Sequence, residues 1–219
     1  LPVNKDNIFI LSGTQNFINV MVAMTSRNNQ TILVENPTYN LLLGAVDAYG
    51  RKMQHVDRTL DGLDLETIEA KAKNKEFRYF FTMTRNHNPL GTSLSKEQKT
   101  KLLELAELYD FYIVEDDYLK ELSDNDCLYI EKPERVIYVR SFSKTISPSL
   151  RLCAMIVPDA LREEFSHTNS YMNTGASLIS QDVLYRYLTG DAYVKNTKVL
   201  RDRIEEKCTL LKACLKDCP

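Results

Sequence analysis

Short apolar runs of strand length recur along the chain, and a segment with helical spacing follows most of them. In the first such segment the apolar residues are Phe17, Val20, Met21 and Met24. Their i, i+3, i+4, i+7 spacing predicts one buried face of a helix. The predicted strands are residues 8–11, 31–35, 52–56, 77–83, 111–115, 136–139 and 152–157. Strands that alternate with helices over short connections predict an α/β fold, a three-layer sandwich with a mainly parallel sheet.

Local signals predict where individual helices begin and end. Ser95 is followed three residues later by Gln98, the spacing of a capping box, so we expect a helix to begin there. A helical face that starts near Leu42 stops at Gly50, because glycine adopts the left-handed conformation that ends helices at little cost. Residues 192–215 are rich in Lys, Arg and Glu, which predicts a long solvated helix packed by one edge on the body or on a partner domain outside this chain.

Size and charge exclude several classes of protein. The 219 residues suffice for one large domain, and 43% hydrophobic with 26% charged residues is the balance of a globular protein rather than of a disordered one. With 28 basic and 30 acidic side chains, the net charge of −2 lacks the cationic excess that nucleic-acid binding needs. No apolar run is long enough to span a membrane and the first residues do not resemble a signal peptide, so we expect a soluble, cytoplasmic protein with no membrane partner.

The cysteines and histidines predict neither a disulfide framework nor a metal site. Of the five cysteines, Cys208, Cys214 and Cys218 match no metal-binding or redox spacing, so we expect reduced thiols. The three histidines, His55, His87 and His167, lie far apart in the sequence, so no metal site is expected. The glycine-rich motifs of dinucleotide-binding and P-loop folds and the nucleophile elbow of α/β-hydrolases are also absent from the sequence.

Polar residues gather where predicted strands end, which is where open α/β sheets bind ligands. These segments are residues 12–15, 88–91, 115–118 and 141–144, followed by Arg151. Together they offer the groups that pyridoxal phosphate needs: an amine for its aldehyde, an acid for its ring nitrogen, and hydroxyls and an arginine for its phosphate. Each segment alone has an ordinary structural explanation, such as a helix cap or a turn, and only their combination indicates a cofactor site.

Five ordered motifs carry a family resemblance. In this sequence they read S-G-T-Q, N-P-T-Y, H-N-P-x-G, E-D-D-Y and S-x-S-K-x-x-x-P-x-x-R, and they run from Ser12 to Arg151. The series resembles the fold-type I pyridoxal-phosphate superfamily, in its aminotransferase class I/II branch. That resemblance implies the large domain of a pyridoxal-phosphate-dependent transferase as the fold and pyridoxal 5'-phosphate as the cofactor.

The resemblance also implies a role for each matched residue. Lys144 is expected to bond covalently to the aldehyde of the cofactor, and Asp116, rather than the acid that follows it, to pair with the ring nitrogen. Tyr118 and Asn88 are expected to hydrogen-bond the phenolate oxygen, and Tyr39 to stack on the ring. The residues expected around the phosphate are Ser12, Gly13, Thr14, Gln15, Ser141, Ser143 and Arg151. The expected catalytic set is Lys144, Asp116 and Tyr118.

Two kinds of family member remain as alternatives. The compact E-D-D-Y segment with Glu121 three residues further on resembles the aminotransferase-like domain of MocR-type regulators of the GntR family. Such a domain senses an amino acid or amine effector while a separate module binds DNA. The alternative is the large domain of a class I/II aminotransferase, which transfers amino groups between amino acids and 2-oxo acids. Arg140 occupies a position where these regulators usually have a small residue, and the sequence leaves its role open.

The resemblance covers only part of a typical family member. An N-terminal arm or DNA-binding module and a C-terminal small domain are not matched, so we expect residues 1–219 to be a single cofactor-binding large domain cut from a longer protein. Because that part of the pattern is missing, we expect this chain alone not to turn over an amino acid. The resemblance also implies that sites in this family are completed across a homodimer, so we expect the intact protein to dimerise. Contact with DNA would depend on a module outside this chain.

Overall fold

The computed structural model describes residues 3–27, 31–123, 126–172 and 175–216, and its centre is an eight-stranded sheet. The strands are β1 (Ile8–Leu11), β2 (Ile32–Asn36), β3 (Met53–Thr59), β4 (Gly62–Leu63), β5 (Tyr79–Thr82), β6 (Tyr112–Asp116), β7 (Val136–Ser141) and β8 (Cys153–Ile156). Their order in the sheet is β1-β8-β7-β6-β5-β2-β3-β4. Every strand predicted from the sequence is present, and the two-residue β4 is additional.

The strand directions confirm a mainly parallel sheet. β3, β2, β5, β6 and β7 are parallel to one another, whereas β8 is antiparallel to both of its neighbours, β7 and β1. The carboxyl ends of β1 and β7 therefore lie at the same edge of the sheet as the first residue of β8. The loops that follow β1, β2, β5, β6 and β7 meet along this edge, together with the segment that precedes β8.

Helices cover both faces of the sheet. They are α1 (Thr14–Arg27), α2 (Asn40–Ala48), α3 (Leu65–Lys73), α4 (Lys96–Leu108), α5 (Leu128–Glu131), α6 (Arg162–Met172), α7 (Leu178–Thr189) and α8 (Asp191–Cys214). On one face α1, α2 and α6 contribute to a core that includes Phe17 and Phe165. On the other face α3, α4 and α5 contribute to a second core that includes Ile68 and Leu102. The predicted three-layer α/β sandwich is confirmed.

The central strands are apolar along almost their whole length because both of their faces are covered. All four residues of β5 are buried, as are the first four residues of β2 and of β6. Neighbouring side chains on a strand point to opposite faces, so Phe80 and Phe81 of β5 pack into different cores. Burying a phenylalanine contributes about 1.5–3 kcal/mol, so such pairs hold a helix layer on each side of the sheet.

The predicted helix ends also appear in the structure. The Ser95 hydroxyl accepts a hydrogen bond from the Gln98 N–H at 3.2 Å where α4 begins, and Gly50 has φ +59° just after α2. The predicted long solvated helix corresponds to α8, in which no residue is buried. α7 precedes it as a separate helix, in the region from Asp159 onward that the sequence pattern predicts to be helical without bounds for each helix. Within the described ranges, no helix is both long enough and apolar enough to cross a membrane.

Candidate functional site

The turn between β1 and α1 forms a tight corner beside Arg151. Gly13 is buried and has φ +87°, a conformation that glycine adopts at little cost. A β-carbon on Gly13 would lie 3.2 Å from Nη2 of Arg151, so the guanidinium packs against bare glycine backbone. α1 begins directly after this turn and has no acidic residue in its first turn. The positive end of the helix and the arginine therefore offer an anion-binding corner.

The other residues predicted around a phosphate occupy the same sheet edge. Ser12, Thr14 and Gln15 are half-buried next to Gly13, and the Ser12 hydroxyl donates to the carbonyl of Gly175 at 3.5 Å. Two further members, Ser141 and Ser143, lie at the end of β7. Ser141 is buried, and its Oγ accepts a hydrogen bond from the Ser143 N–H at 3.4 Å.

Asp116, the last residue of β6, carries a carboxyl oxygen without a hydrogen-bond partner. Its Oδ1 is buried and accepts no hydrogen bond from any residue that the structure describes. The side chain lines a pocket together with Tyr39 and Thr82. Burial, helped by the negative charge of Asp117, raises the pKa of Asp116 to about 7. A buried acceptor of this kind suits a hydrogen-bond donor that enters the pocket from outside the chain.

The adjacent Asp117 has protein partners through one of its two carboxyl oxygens, Oδ2, whereas its Oδ1 accepts no hydrogen bond from the described residues. It is buried and ion-paired with Arg85, and its Oδ2 also accepts a hydrogen bond from the Tyr138 hydroxyl at 2.5 Å. Burial and the charge of Asp117 raise the pKa of Tyr138 far above its ordinary value, so this phenol remains a donor. Of the two neighbouring acids, one is therefore held by core partners, and Asp116 faces the pocket.

Tyr39 lies between the Asp116 pocket and the anion-binding corner. It is half-buried at the residue that precedes α2, and its hydroxyl makes no capping hydrogen bond there. Burial raises the pKa of Tyr39, the charge of Asp116 raises it further, and the charge of Arg151 lowers it. The phenol is thus within electrostatic range of both groups, which links the two halves of the site.

Tyr118 and Asn88 lie on neighbouring loops at the same edge. The Tyr118 hydroxyl donates its hydrogen to the carbonyl of Asn86 at 2.7 Å, and burial together with Asp116 raises the pKa of this phenol. Asn88 is half-buried two residues further along the loop after β5. The hydrogen of Tyr118 is already engaged, so donation to a cofactor oxygen would require this bond to exchange. Both predicted contacts with the phenolate oxygen stay predictions.

Lys144 lies in the loop after β7 and is exposed. In the described part of the chain its ammonium has no hydrogen-bond or ion-pair partner. β7 pairs with β6, and Val139 lies opposite Asp116 in the register, so the lysine follows the strand next to the acid. The structure places both residues at the same edge of adjacent strands, and no ion pair joins them.

The sequence did not predict a buried charged cluster behind this edge. Glu35 of β2 accepts hydrogen bonds from Arg58 at 3.1 Å and from the Thr82 hydroxyl at 2.9 Å. Its second oxygen accepts the Met83 N–H at 3.1 Å and lies 3.1 Å from Nε2 of His87. The cluster ties together the ends of β2, β3 and β5, where two loops of the site begin. An acid at the end of an apolar strand is the signal that could have revealed it.

Arg140, whose role the sequence left open, has a partner inside the protein. Arg140 forms an ion pair with the buried Glu121, with Nη2 2.6 Å from Oε1. Cys153 is buried, and burial together with the charge of Asp116 raises its pKa to about 12, so the thiol stays neutral. Among the residues that the structure describes, no group of three or more His, Cys, Asp or Glu side chains is arranged to hold a metal ion.

Comparison with known proteins identifies the family of this fold and site. A model of the family described as aminotransferase class I and II matches residues 1–218. The chain belongs to this family. Among curated members, it is 37% identical over 218 residues to the uncharacterized HTH-type transcriptional regulator YcxD of Bacillus subtilis, covering 97% of this chain and 49% of YcxD. It is 25% identical over 227 residues to the HTH-type transcriptional regulator NorG of Staphylococcus aureus, covering 99% and 51%.

Solved structures of aminotransferases share the fold of this aminotransferase-like domain. The kynurenine aminotransferase of Pyrococcus horikoshii, solved in complex with PMP, matches with a TM-score of 0.84 and 26% identity over 98% of this chain and 56% of that one. An archaeal alanine:glyoxylate aminotransferase matches with a TM-score of 0.86 and 22% identity over 99% and 57%, a likeness of fold alone.

The comparisons confirm the main predictions from the sequence. The chain is an aminotransferase-like domain homologous to HTH-type transcriptional regulators, with the large-domain fold of the aminotransferases. Pyridoxal phosphate is the cofactor of this family, as predicted. The chain spans about half the length of the curated relatives it matches.

Proposed function

We propose that this chain is the pyridoxal-phosphate-binding, effector-sensing domain of a cytoplasmic transcriptional regulator of the MocR/GntR type. Its similarity to two HTH-type regulators, at 37% and 25% identity over nearly the whole chain, supports a regulator rather than a free-standing enzyme. The chain would be the large domain of a longer protein that contacts DNA through another module. The effector would be an amino acid or amine, and the intact protein would be a homodimer.

The unpartnered Oδ1 of Asp116 is the observation that carries cofactor binding. A buried carboxyl oxygen without a donor is costly, and the protonated pyridine nitrogen of the cofactor would supply the missing N–H. The nearby positive corner at Gly13 and Arg151 fits the phosphate at the other end of the same molecule. Tyr39, within range of both groups, would pack on the ring between them. The residues present therefore fit the cofactor.

When bound, pyridoxal phosphate supplies an electron-withdrawing ring and an aldehyde that condenses with an amine and releases one water. Lys144 would present that amine, and its exposure leaves it free to react or to exchange with the amine of an effector. The protonated ring nitrogen beside Asp116 would lower the pKa of this carboxyl from about 7, so the acid would ionise as the cofactor binds. Arg151 would clamp the phosphate dianion through charge-assisted hydrogen bonds.

A second candidate function is the large domain of a class I/II aminotransferase. The observation that favours it is the similarity to the kynurenine aminotransferase of Pyrococcus horikoshii, at 26% identity and a TM-score of 0.84. The same residues would then hold the cofactor, and Tyr118 would join Lys144 and Asp116 around the reacting atoms. Turnover would still require the rest of the protein.

The experiment that tests cofactor binding is a titration of the full-length protein with pyridoxal phosphate, followed by borohydride trapping and peptide mapping. We expect a visible absorption change and a trapped adduct on Lys144 in the wild type, and no adduct in Lys144→Ala. The exposed Lys198→Ala is the matched control and should behave as the wild type. No absorption change in the wild type would identify a fold that has lost its cofactor.

The regulator and the enzyme are separated by a second measurement on the same protein. A regulator should shift a DNA fragment from its own promoter region with an affinity that changes when pyridoxal phosphate and an amino compound are added. An aminotransferase should consume an amino donor and a 2-oxo acid at a steady rate. Sustained turnover without any effect on DNA binding would reject the regulator.

A further inference from the structure

Glu121 connects the loop after β7 with other parts of the chain. It lies in a short 3-10 turn after β6, and its side chain is 1% exposed. Its Oε2 accepts a hydrogen bond from the Thr145 hydroxyl at 2.7 Å. Its Oε1 accepts hydrogen bonds from Arg140 of β7 at 2.6 Å and from the Tyr193 hydroxyl of α8 at 3.2 Å. One buried carboxylate thus holds three elements together.

The Glu121 carboxylate is ionised in this environment. Burial raises its pKa, but the hydrogen bonds from Arg140 and Thr145 and the positive charge of Arg140 outweigh burial, so the pKa lies below its ordinary value. The bond from Thr145 is therefore a charge-assisted hydrogen bond, which is stronger than one between neutral groups. Arg140 also lies over the ring of Phe142, 5.0 Å from its centroid, which fixes the guanidinium beside the loop.

α8 also contacts Glu121. Nε of Arg201 donates to the backbone carbonyl of Glu121 at 2.6 Å, and the Tyr193 hydroxyl accepts from Arg140 at 2.9 Å. Because α8 has no buried residue, these polar contacts secure its first half against the body. The loop after β7, the turn after β6 and α8 therefore share one anchoring point.

We propose that Glu121 is a positioning residue that holds Lys144 at the sheet edge through Thr145. Lys144 is exposed, so its placement depends on its chain neighbours. The inference rests on the proposed function, in which Lys144 bonds to the cofactor. Without the tether, the loop would visit other conformations, and the amine would meet the aldehyde in a smaller fraction of the molecules.

The test is a double-mutant cycle on the full-length protein, with pyridoxal-phosphate affinity measured by equilibrium dialysis and covalent attachment by borohydride trapping. Thr145→Val removes the hydroxyl with little change in shape. We expect about tenfold weaker binding than in the wild type, equivalent to about 1.4 kcal/mol. We expect no change in affinity when Thr145→Val is made in the Lys144→Ala background, because Thr145 acts through the lysine. Thr145→Ser should restore wild-type affinity.

Two further variants complete the design. Thr189→Val is the matched control, because the Thr189 hydroxyl is exposed and donates to the Tyr185 carbonyl of its own helix at 2.8 Å. Its affinity should equal that of the wild type. Glu121→Gln keeps the shape and removes the charge, and it should weaken binding by a similar factor to Thr145→Val. Urea unfolding of each variant shows whether the native fold is retained.

The outcomes separate this inference from the proposed function. The positioning role of Glu121 would be overturned if Thr145→Val weakened pyridoxal-phosphate binding equally in the wild-type and Lys144→Ala backgrounds. It would also be overturned if Thr145→Val and Glu121→Gln were folded and bound the cofactor with wild-type affinity. Either result would leave the proposed function standing. An unchanged affinity in Lys144→Ala itself, with the adduct still formed, would reject the proposed function together with the inference that rests on it.

Discussion

Two adjacent aspartates at the end of β6 occupy opposite environments. Successive side chains of a strand point to opposite faces, so Asp117 reaches Arg85 and Tyr138, whereas Asp116 reaches the pocket. Two acids that form one motif in the sequence thus differ in the structure: Asp117 has buried protein partners, and Asp116 lines a pocket. Asp116 destabilises the folded chain when it is ionised, because burial disfavours the charged form of its carboxyl.

Replacing Asp116 with asparagine should change how stability depends on pH. The raised pKa means that, between about pH 4 and pH 7, the folded chain holds a proton that the unfolded chain has released. The contribution of Asp116 to the unfolding free energy therefore falls as pH rises through this range. Asp116→Asn removes that contribution, so the cofactor-free variant should be more stable than the wild type by up to about 4 kcal/mol at pH 8, with little difference at pH 4.

Urea unfolding at the two pH values measures this effect. The exposed Asp202→Asn is the control and should match the wild type at both. The same variant, Asp116→Asn, should bind pyridoxal phosphate more weakly than the wild type. A stability difference that is equal at both pH values would contradict a raised pKa at Asp116.

Gly13 and Gly44 form a matched pair of glycines with opposite expectations. A β-carbon at Gly13 would crowd Arg151 at φ +87°, whereas one at Gly44 in α2 would have no atom within 4 Å. Gly13→Ala should cost about 1–2 kcal/mol of unfolding free energy and weaken pyridoxal-phosphate binding. Gly44→Ala should add about 0.5–1 kcal/mol and leave binding unchanged. Urea unfolding and equilibrium dialysis check both, and a similar effect of the two substitutions on binding would argue against the corner at Gly13.

At the scale of helices and strands, the sequence pattern predicted the elements whose residues must be apolar because both faces of the sheet are covered. The central strands are covered on both faces, so each is an apolar run in the sequence. β4 and the bounds of α7 could not be predicted, because their own residues carry little signal. β4 exists through its pairing with β3, and Leu184 is the buried residue of α7.

The candidate site also contains residues that the sequence could predict and residues that it could not. Residues at strand ends could be predicted from their order along the chain, because each follows an apolar run. The partners of buried charges could not be predicted, because many basic residues could have paired with Glu35 or Glu121. The fold alone brings Arg58 to the first and Arg140 to the second.

The second half of α8 should exchange its amide hydrogens faster than β6 in the chain of residues 1–219. Its apolar residues Leu210 and Leu211 are exposed, and an isolated helix shorter than about 12–15 residues is marginally stable in water. Hydrogen exchange read by mass spectrometry measures both elements in one sample, with β6 as the internal reference. Equal protection of α8 and β6 would show that the helix is stabilised by more than the contacts of Tyr193 and Arg201.

For the whole molecule, the balance of charge limits what this chain can bind by itself. With 28 basic and 30 acidic side chains, it has no excess of cations to displace counterions from DNA. In a gel-shift assay at low and physiological salt, residues 1–219 should not retard a promoter fragment that the full-length protein retards. A sequence-specific shift by the chain alone would contradict this expectation and assign the DNA contact to this domain.

The connection from β7 to β8, residues 142–152, contains both Lys144 and Arg151. Because β8 returns alongside β7, this connection closes like a hairpin and crosses neither face of the sandwich. Insertions or deletions within it would alter the spacing between Lys144 and Arg151, the residues proposed to hold the two ends of the cofactor, without interrupting a strand or a helix of the sandwich. A change in the length of this single loop could therefore adapt the fold, by evolution or by engineering, to cofactors or ligands of different length.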